Sequence, residues 1–334
     1  MAQKRVYNKI YTEEEYKLVN EINLDIIEDF MEEYKQRKMK QTTLDQYAND
    51  LRIIALFIKR FCDNQSFLLL GKRDFRRLSI WLSSDLRMSN ARVNRVMSAR
   101  RSMLTYVEDS DEYSYLTNIA KKVHGLPKET VRNNDEDMFM SFEQIMRVKQ
   151  KLLDTGETQL CVLHMISFDS GARRNELAQI KKYGLLDGNK TNLVIGKRGK
   201  MFPLVYLDDT KELIKLWLNE RGEDDIDSLW IVGKNGYRRE SSYENLYEMV
   251  MRIRKVLSEL EGKEINIYPH SYRHSRTECM LQGLDPRIID KLTGLPKKFT
   301  LEQVQVFLHH SDPKTTLDYS KDHTEEIIDN MFDF

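Results

Sequence analysis

PHSYRHSRTECMLQG, residues 269–283, is the stretch from which the fold of this chain is read. Pro269 suits the first turn of a helix, where its fixed φ fits and its missing N–H has no partner to lose. On that helix His270 and Arg273 stand three apart and His270 and His274 four apart, so the three share one face. Two chemistries fit them. A histidine pair can bind zinc, but no HExxH glutamate is present and the chain has no CxxC spacing, so no metal is expected. Histidine, arginine and histidine together are also good hydrogen-bond donors to an anion.

A chain of 334 residues leaves room for two domains, each with its own core. Hydrophobic residues make up 40% and charged residues 32%, an ordinary globular composition. No apolar run is long enough to cross a bilayer, and the start, MAQKRVYNKIYTEEEYK, is too polar for a signal peptide, so no membrane partner and a cytoplasmic location are expected. Cys62, Cys161 and Cys279 are scattered and read as small buried apolar residues. The 53 basic and 53 acidic residues cancel, which argues against a chain that coats nucleic acid everywhere but not against a local basic face. The charges do segregate. Residues 87–107 carry five arginines and no acid, while acids gather at 108–112, 134–137 and 223–227 and in the C-terminal DNMFDF.

Working outward, residues 12–38 read as a helix capped by Thr12, with Glu15 completing a capping box. Residues 42–62 carry an apolar stripe of Leu44, Tyr47, Leu51, Ile54 and Ile58, and 74–86 form a third helix. Residues 89–107 form a fourth, capped by Ser89 or Asn90, with Val93, Val96, Met97, Leu104 and Val107 on its apolar side and Arg92, Arg95, Asn94 and Arg101 elsewhere. Residues 1–110 are therefore expected to form a helical domain with one basic face. Residues 111–138 combine charge with turn formers and read as a linker with a short helix at 115–124. Helices are then expected over 142–154, 159–171 and 173–182, and a β-hairpin over NLVIGKRGKMFPLVYL, 192–207. Helical patterns resume at 209–221, 242–262, 269–283, 285–294 and 301–310. The fold class expected is mainly α with a small β-sheet (α+β), the second domain covering 139–334.

Three further clusters can carry chemistry. SGARRNEL, 170–177, sets Arg173 at a junction after a helix ending at Gly171. GKRGK, 196–200, puts Lys197 at a hairpin tip, and FLHHSDPKTTLDYS, 307–320, holds His310 and Tyr319 on either side of a turn. Taken singly, these are a surface arginine, a solvated lysine and a half-buried aromatic.

Taken in order, arginine, lysine, HxxR, histidine and tyrosine resemble the tyrosine recombinase family, also called phage integrases. Its motifs are roughly a TGxRxxEL box, a GKG hairpin, HxxRH, LGH and a tyrosine after TT. SGARRNEL matches the first through Arg173, Lys197 falls at the hairpin lysine, His270 and Arg273 on HxxR, His310 on LGH and Tyr319 on the tyrosine. The resemblance spans about residues 139–322 by motif. It implies a two-domain clamp on double-stranded DNA, with an N-terminal core-binding domain and a catalytic domain that cleaves and rejoins strands through a 3′-phosphotyrosyl intermediate at Tyr319. Arg173 and Arg273 would neutralise the non-bridging oxygens, Lys197 would protonate the 5′-oxygen, His270 would relay the tyrosine proton, His310 would bind the phosphate and Glu176 would orient the cluster. Cations stand in for a metal, so no cofactor is expected. DNA contacts are expected from Arg87, Arg92, Asn94, Arg95 and Arg101, and from Lys38, Lys40 and Thr43. The resemblance further implies self-association on DNA, with the tail TEEIIDNMFDF docking in trans, and association with the nucleoid of a bacterial or phage host.

The chain also departs from the pattern. His309 stands where LGH has glycine, Arg276 and Glu278 follow RH, TGLPKKFTLEQ lies between Arg273 and His310, and the net charge is zero. These departures keep open a second reading, a recombinase-like DNA-binding repressor or regulator of a phage or mobile element that does not cut DNA. A metal-dependent nuclease lacks the carboxylate cluster it needs.

Overall fold

A computed structural model describes residues 10–113, 115, 117–127, 139–233, 237–309 and 316. Its contacts divide the chain into two compact units, Met1–Val131 and Arg132–Phe334. The architecture is mainly helical, with two small antiparallel sheets, both in the second unit.

The first unit contains α1 (Glu13–Tyr16), α2 (Glu21–Gln36), α3 (Gln41–Phe61), α4 (Lys72–Ile80) and α5 (Asn90–Asp109). Thr12 caps as expected, its Oγ1 accepting the Glu15 N–H, but the helix expected over 12–38 is two helices. Asn20 interrupts it. Its side chain accepts the Ile22 N–H at 3.0 Å, starting α2, and its own N–H donates to Asn64 Oδ1 at 2.9 Å. A local cap and a distant amide thus outcompete helix continuation. The expected stripes of α3 and α5 make the core, where Leu51, Ile54, Val93, Val96, Leu104 and Val107 have no exposed surface.

Residues 115–127 do not behave as the expected linker. Tyr115, Ala120 and Val123 are buried in this same core, and among the described residues the expected helix is reduced to a short 3-10 segment, Ile119–Lys122. Asn94 ties this segment down, accepting the Leu126 N–H at 2.8 Å and donating to its carbonyl at 2.9 Å. Arg100 is fully buried, its guanidinium 4.4 Å from the centre of the Phe75 ring and donating to the Ala120 carbonyl. Burial pushes its pKa down to about 10.

The second unit opens with α6 (Phe142–Asp154), started by a Ser141–Gln144 capping box. Next come α7 (Thr158–Ser170) and the single turn α8 (Arg174–Leu177). α7 is buried on nearly every side and forms the centre of the unit. The expected hairpin pairs β1 (Lys190–Ile195) with β2 (Met201–Val205), in register Val194↔Phe202 and Ile195↔Met201. The unit continues with α9 (Asp208–Arg221), β3 (Ile231–Val232), β4 (Arg239–Glu240), α10 (Tyr243–Glu261), α11 (Pro269–Gln282) and α12 (Leu301–Phe307). α11 is the stretch first quoted, with Pro269 in its first turn.

DPRIIDKLTG, expected to be helical, is not. Arg287 donates to Asp285, to Asp169 at 2.8 Å and to Asp209 at 3.0 Å, while Asp285 also accepts from Arg276 at 2.6 Å. The Asp290 side chain takes the N–H groups of Leu292 and Thr293, and Ile289 bridges to Pro296. These side-chain anchors fix a turn instead. Asp169 and Arg276 are almost fully buried, and removing one partner from such a network costs about 3–5 kcal/mol by stranding the other charge.

α11 is locked to α7 by a buried pair. Ile145's carbonyl can only accept, so His164 Nε2 carries the hydrogen (2.9 Å) and Nδ1 accepts the Tyr272 hydroxyl at 2.7 Å. Burial lowers the His164 pKa from 6.5 to about 4. The unfolded chain therefore takes this proton first, so stability is full above pH 6.5 and falls as pH drops from 6.5 towards 4, by about 3 kcal/mol in total. Urea midpoints measured at about pH 7 and about pH 5 should show about 2 kcal/mol of this loss, and His164→Gln should reduce the difference by about that amount, leaving the part contributed by other histidines.

Candidate active site

The site is built where α7 ends. Gly171 closes the helix at φ 56, ψ 24, a left-handed conformation that glycine adopts without strain. It is also a close approach, since a Cβ there would lie 2.8 Å from Leu308 Cδ2. The freed Gly171 carbonyl accepts from Arg273 Nη1 at 2.7 Å, and Arg273 Nη2 donates to the Leu308 carbonyl. Arg273, on α11 and only 1% exposed, thus joins the end of α7 to the end of α12.

Arg173 follows in extended conformation as the N-cap of α8. Glu176 receives its backbone N–H at 2.8 Å and its Nη1 at 3.0 Å. One buried carboxylate therefore fixes both the main chain and the guanidinium of Arg173. Arg173 remains part-exposed and lines the same pocket as His270.

His270 sits in the first turn of α11, its ring edge-on to His274, whose own ring meets Phe139. One side of His270 is open to solvent, but the protein packed around the rest of its ring dehydrates it. That dehydration first, then His274, Arg273 and Arg173, lower its pKa to about 4. The imidazole is neutral at neutral pH and can accept a proton. A phosphate beside it would raise its pKa.

Lys197 lies exposed on the 3-10 turn Lys197–Gly199 between β1 and β2, where Arg198 takes φ 62. The base of this turn is set against the site at Gly196, where a Cβ would lie 2.6 Å from the Phe202 ring and 3.3 Å from Glu176 Oε1. His310 and Tyr319 lie outside the described residues, as does the tail; within that region Thr316 alone is described, and it is buried.

The residues expected on the basic face are dispersed in role. Arg92 and Arg95 both pair with the buried Asp50, at 2.5 and 3.2 Å, and Asn94 holds Leu126. Arg101 is half-buried, and Arg87, Arg95, Lys38 and Lys40 are exposed, the two lysines leading into α3 beside half-buried Thr43. The Asp50 counter-ion was missed because one acid inside the apolar pattern of α3 gives no local signal. Arg174 was missed too; its guanidinium lies 3.6 Å from the centre of the Tyr243 ring and 5.0 Å from that of Tyr247, a pairing hinted at only by the i, i+4 tyrosines.

His309 stands where the family motif has glycine. It takes φ 55, the left-handed region in which a glycine would sit, and its ring stacks on Phe202 with centroids 3.7 Å apart at 24°. The backbone path of a glycine is thus kept by a histidine, at a strain cost of about 1–2 kcal/mol that stacking helps offset. Burial lowers its pKa, and Glu176 opposes that shift. His309→Gly should stay within about 1 kcal/mol of the unchanged chain, whereas His309→Val should lose about 2 kcal/mol or more by denaturant titration, because a β-branched residue resists positive φ.

No family model matches the chain. It is 26% identical over 274 residues to tyrosine recombinase XerC of Treponema denticola, covering 77% of this chain and 86% of the relative. Its fold matches a lambda integrase tetramer bound to a Holliday junction with TM-score 0.66 at 14% identity, covering 90% of this chain and 77% of that one. It also matches XerH site-specific recombinase in a post-cleavage complex with palindromic difH substrate, with TM-score 0.64 at 20% identity, covering 89% and 82% of the two chains. In sequence the chain is similar to a tyrosine recombinase, and it shares its fold with these integrase and recombinase structures.

Proposed function

We propose that this chain is a site-specific DNA recombinase that cleaves and rejoins strands through Tyr319. The observation that carries the reading is Arg173, held by Glu176 through backbone and side chain, in one pocket with neutral His270, whose helix also bears Arg273. A phosphodiester under attack gathers negative charge on its non-bridging oxygens, and guanidiniums fixed in advance stabilise that charge without reorganising. The Tyr319 oxygen forms a bond to phosphorus as the bond to the 5′-oxygen breaks. The tyrosine proton passes to His270, and Lys197 supplies a proton to the departing oxygen. The number of phosphoester bonds is conserved, so the strand can be rejoined without an external energy source. His310 adds a hydrogen bond to the phosphate, and the chemistry calls for no metal.

DNA contact by the exposed Arg87, Arg95, Lys38 and Lys40, and self-association on DNA, complete this reading. The regulator that binds without cutting remains the competing reading, resting on the zero net charge and on His309. Its main physical support weakens because the histidine keeps the glycine-like backbone.

A duplex enriched by the chain from a random-sequence pool, then nicked so that a cut cannot be resealed, should become covalently attached to the chain. Tyr319→Phe should abolish the adduct while leaving binding intact. Binding without any adduct from the unchanged chain would favour the regulator instead.

A further inference from the structure

Beside Arg173 and His270 lies a pocket of about 510 Å³ that phosphodiester cleavage itself does not require. Its remaining walls include Arg174 and three exposed tyrosines, Tyr243, Tyr247 and Tyr268. Among the described residues no carboxylate lines it, and those that do line it give it positive charge and a largely aromatic surface. Tyr243 and Tyr247 are four apart on α10 and present their rings together. Arg174 rests against both, and its Nε is buried with no hydrogen-bond partner among the described residues. Large aromatic rings left exposed around a fixed cation suit a partner that is anionic and has carbon surface to pack on the rings.

We propose that this pocket receives the strand segment adjoining the scissile phosphodiester, with Arg174 on its phosphate and the tyrosine rings against its sugar. The inference rests on the DNA-cleavage reading and extends it. Arg173 and Arg174 are consecutive, with Cα atoms about 3.8 Å apart, so their side chains can serve neighbouring groups of one strand. Arg173 and His270 line this same pocket, so a strand held by them continues into it. Phosphate and sugar contacts carry no base information, which makes the pocket a clamp on the strand and not a reader of its bases.

The test uses the full chain and a duplex it enriches from a random-sequence pool. Affinity is measured across a salt series for Arg173→Ala, Arg174→Ala, Tyr243→Ala and Tyr247→Ala. Tyr243→Phe and Tyr247→Phe keep the rings, Tyr183→Ala serves as an exposed control elsewhere, and thermal unfolding confirms each fold. Arg174→Ala should weaken binding about tenfold or more and reduce the salt slope by about 0.9, the loss of one phosphate contact. Each Tyr→Ala should weaken binding about fivefold or more with little change in slope, and each Tyr→Phe should bind nearly as the unchanged chain. If the Arg174 and tyrosine variants bind unchanged while Arg173→Ala weakens binding, the pocket inference is wrong and the DNA reading stands. If no duplex is enriched at all, the DNA reading falls and the inference with it.

Discussion

A buried guanidinium has to be satisfied, and the second unit is organised around that requirement. Arg273 is almost without exposed surface, so its donors need carbonyls within reach. Gly171 supplies one only because α7 stops there in a left-handed turn, and Leu308 supplies another only because α12 ends beside it. The tight approach of Gly171 to Leu308 leaves no space for a Cβ. One arginine therefore fixes the meeting of three helices, and the Arg173 turn begins two residues after Gly171. Position in the site and stability of the fold are here the same interaction.

Around it, burial and neighbouring cations favour neutral histidines beside paired arginines. Dehydration and neighbouring cations hold His270 neutral, and burial holds His164 neutral in the pair that secures α11. Glu176 is the buried anion placed on Arg173, and Asp285 and Asp169 balance Arg276 and Arg287 further in. An incoming phosphate would meet fixed positive charge and a neutral imidazole whose basicity it would increase. The buried ion pairs are weak as a source of net stability but strong as fixers of position.

Much of this was legible in the sequence, and for identifiable reasons. Apolar stripes found α3 and α5, helical patterning found α6 and α10, and Pro269 marked the start of α11. Arg173, Glu176, His270 and Arg273 were found through the order of their motifs, and the structure brings them together around the end of α7 and the start of α11. What escaped were interactions that join distant residues: Asn20 with Asn64 splitting a helix, Asn94 with Leu126 drawing a supposed linker into the core, and Arg287 turning an apparent helix into an anchored loop. His309 was legible as a departure from glycine but not as one that preserves its backbone, since φ is not encoded in residue type alone.

The central claim is that Arg173 and Arg273 are set in advance for a single phosphodiester. The most direct measurement is an experimental structure of Tyr319→Phe bound to its enriched duplex. The account predicts both guanidiniums hydrogen-bonded to non-bridging oxygens of one phosphate at about 2.7–2.9 Å, with His270 beside it. A duplex bound with its phosphates away from Arg173 and His270 would contradict it.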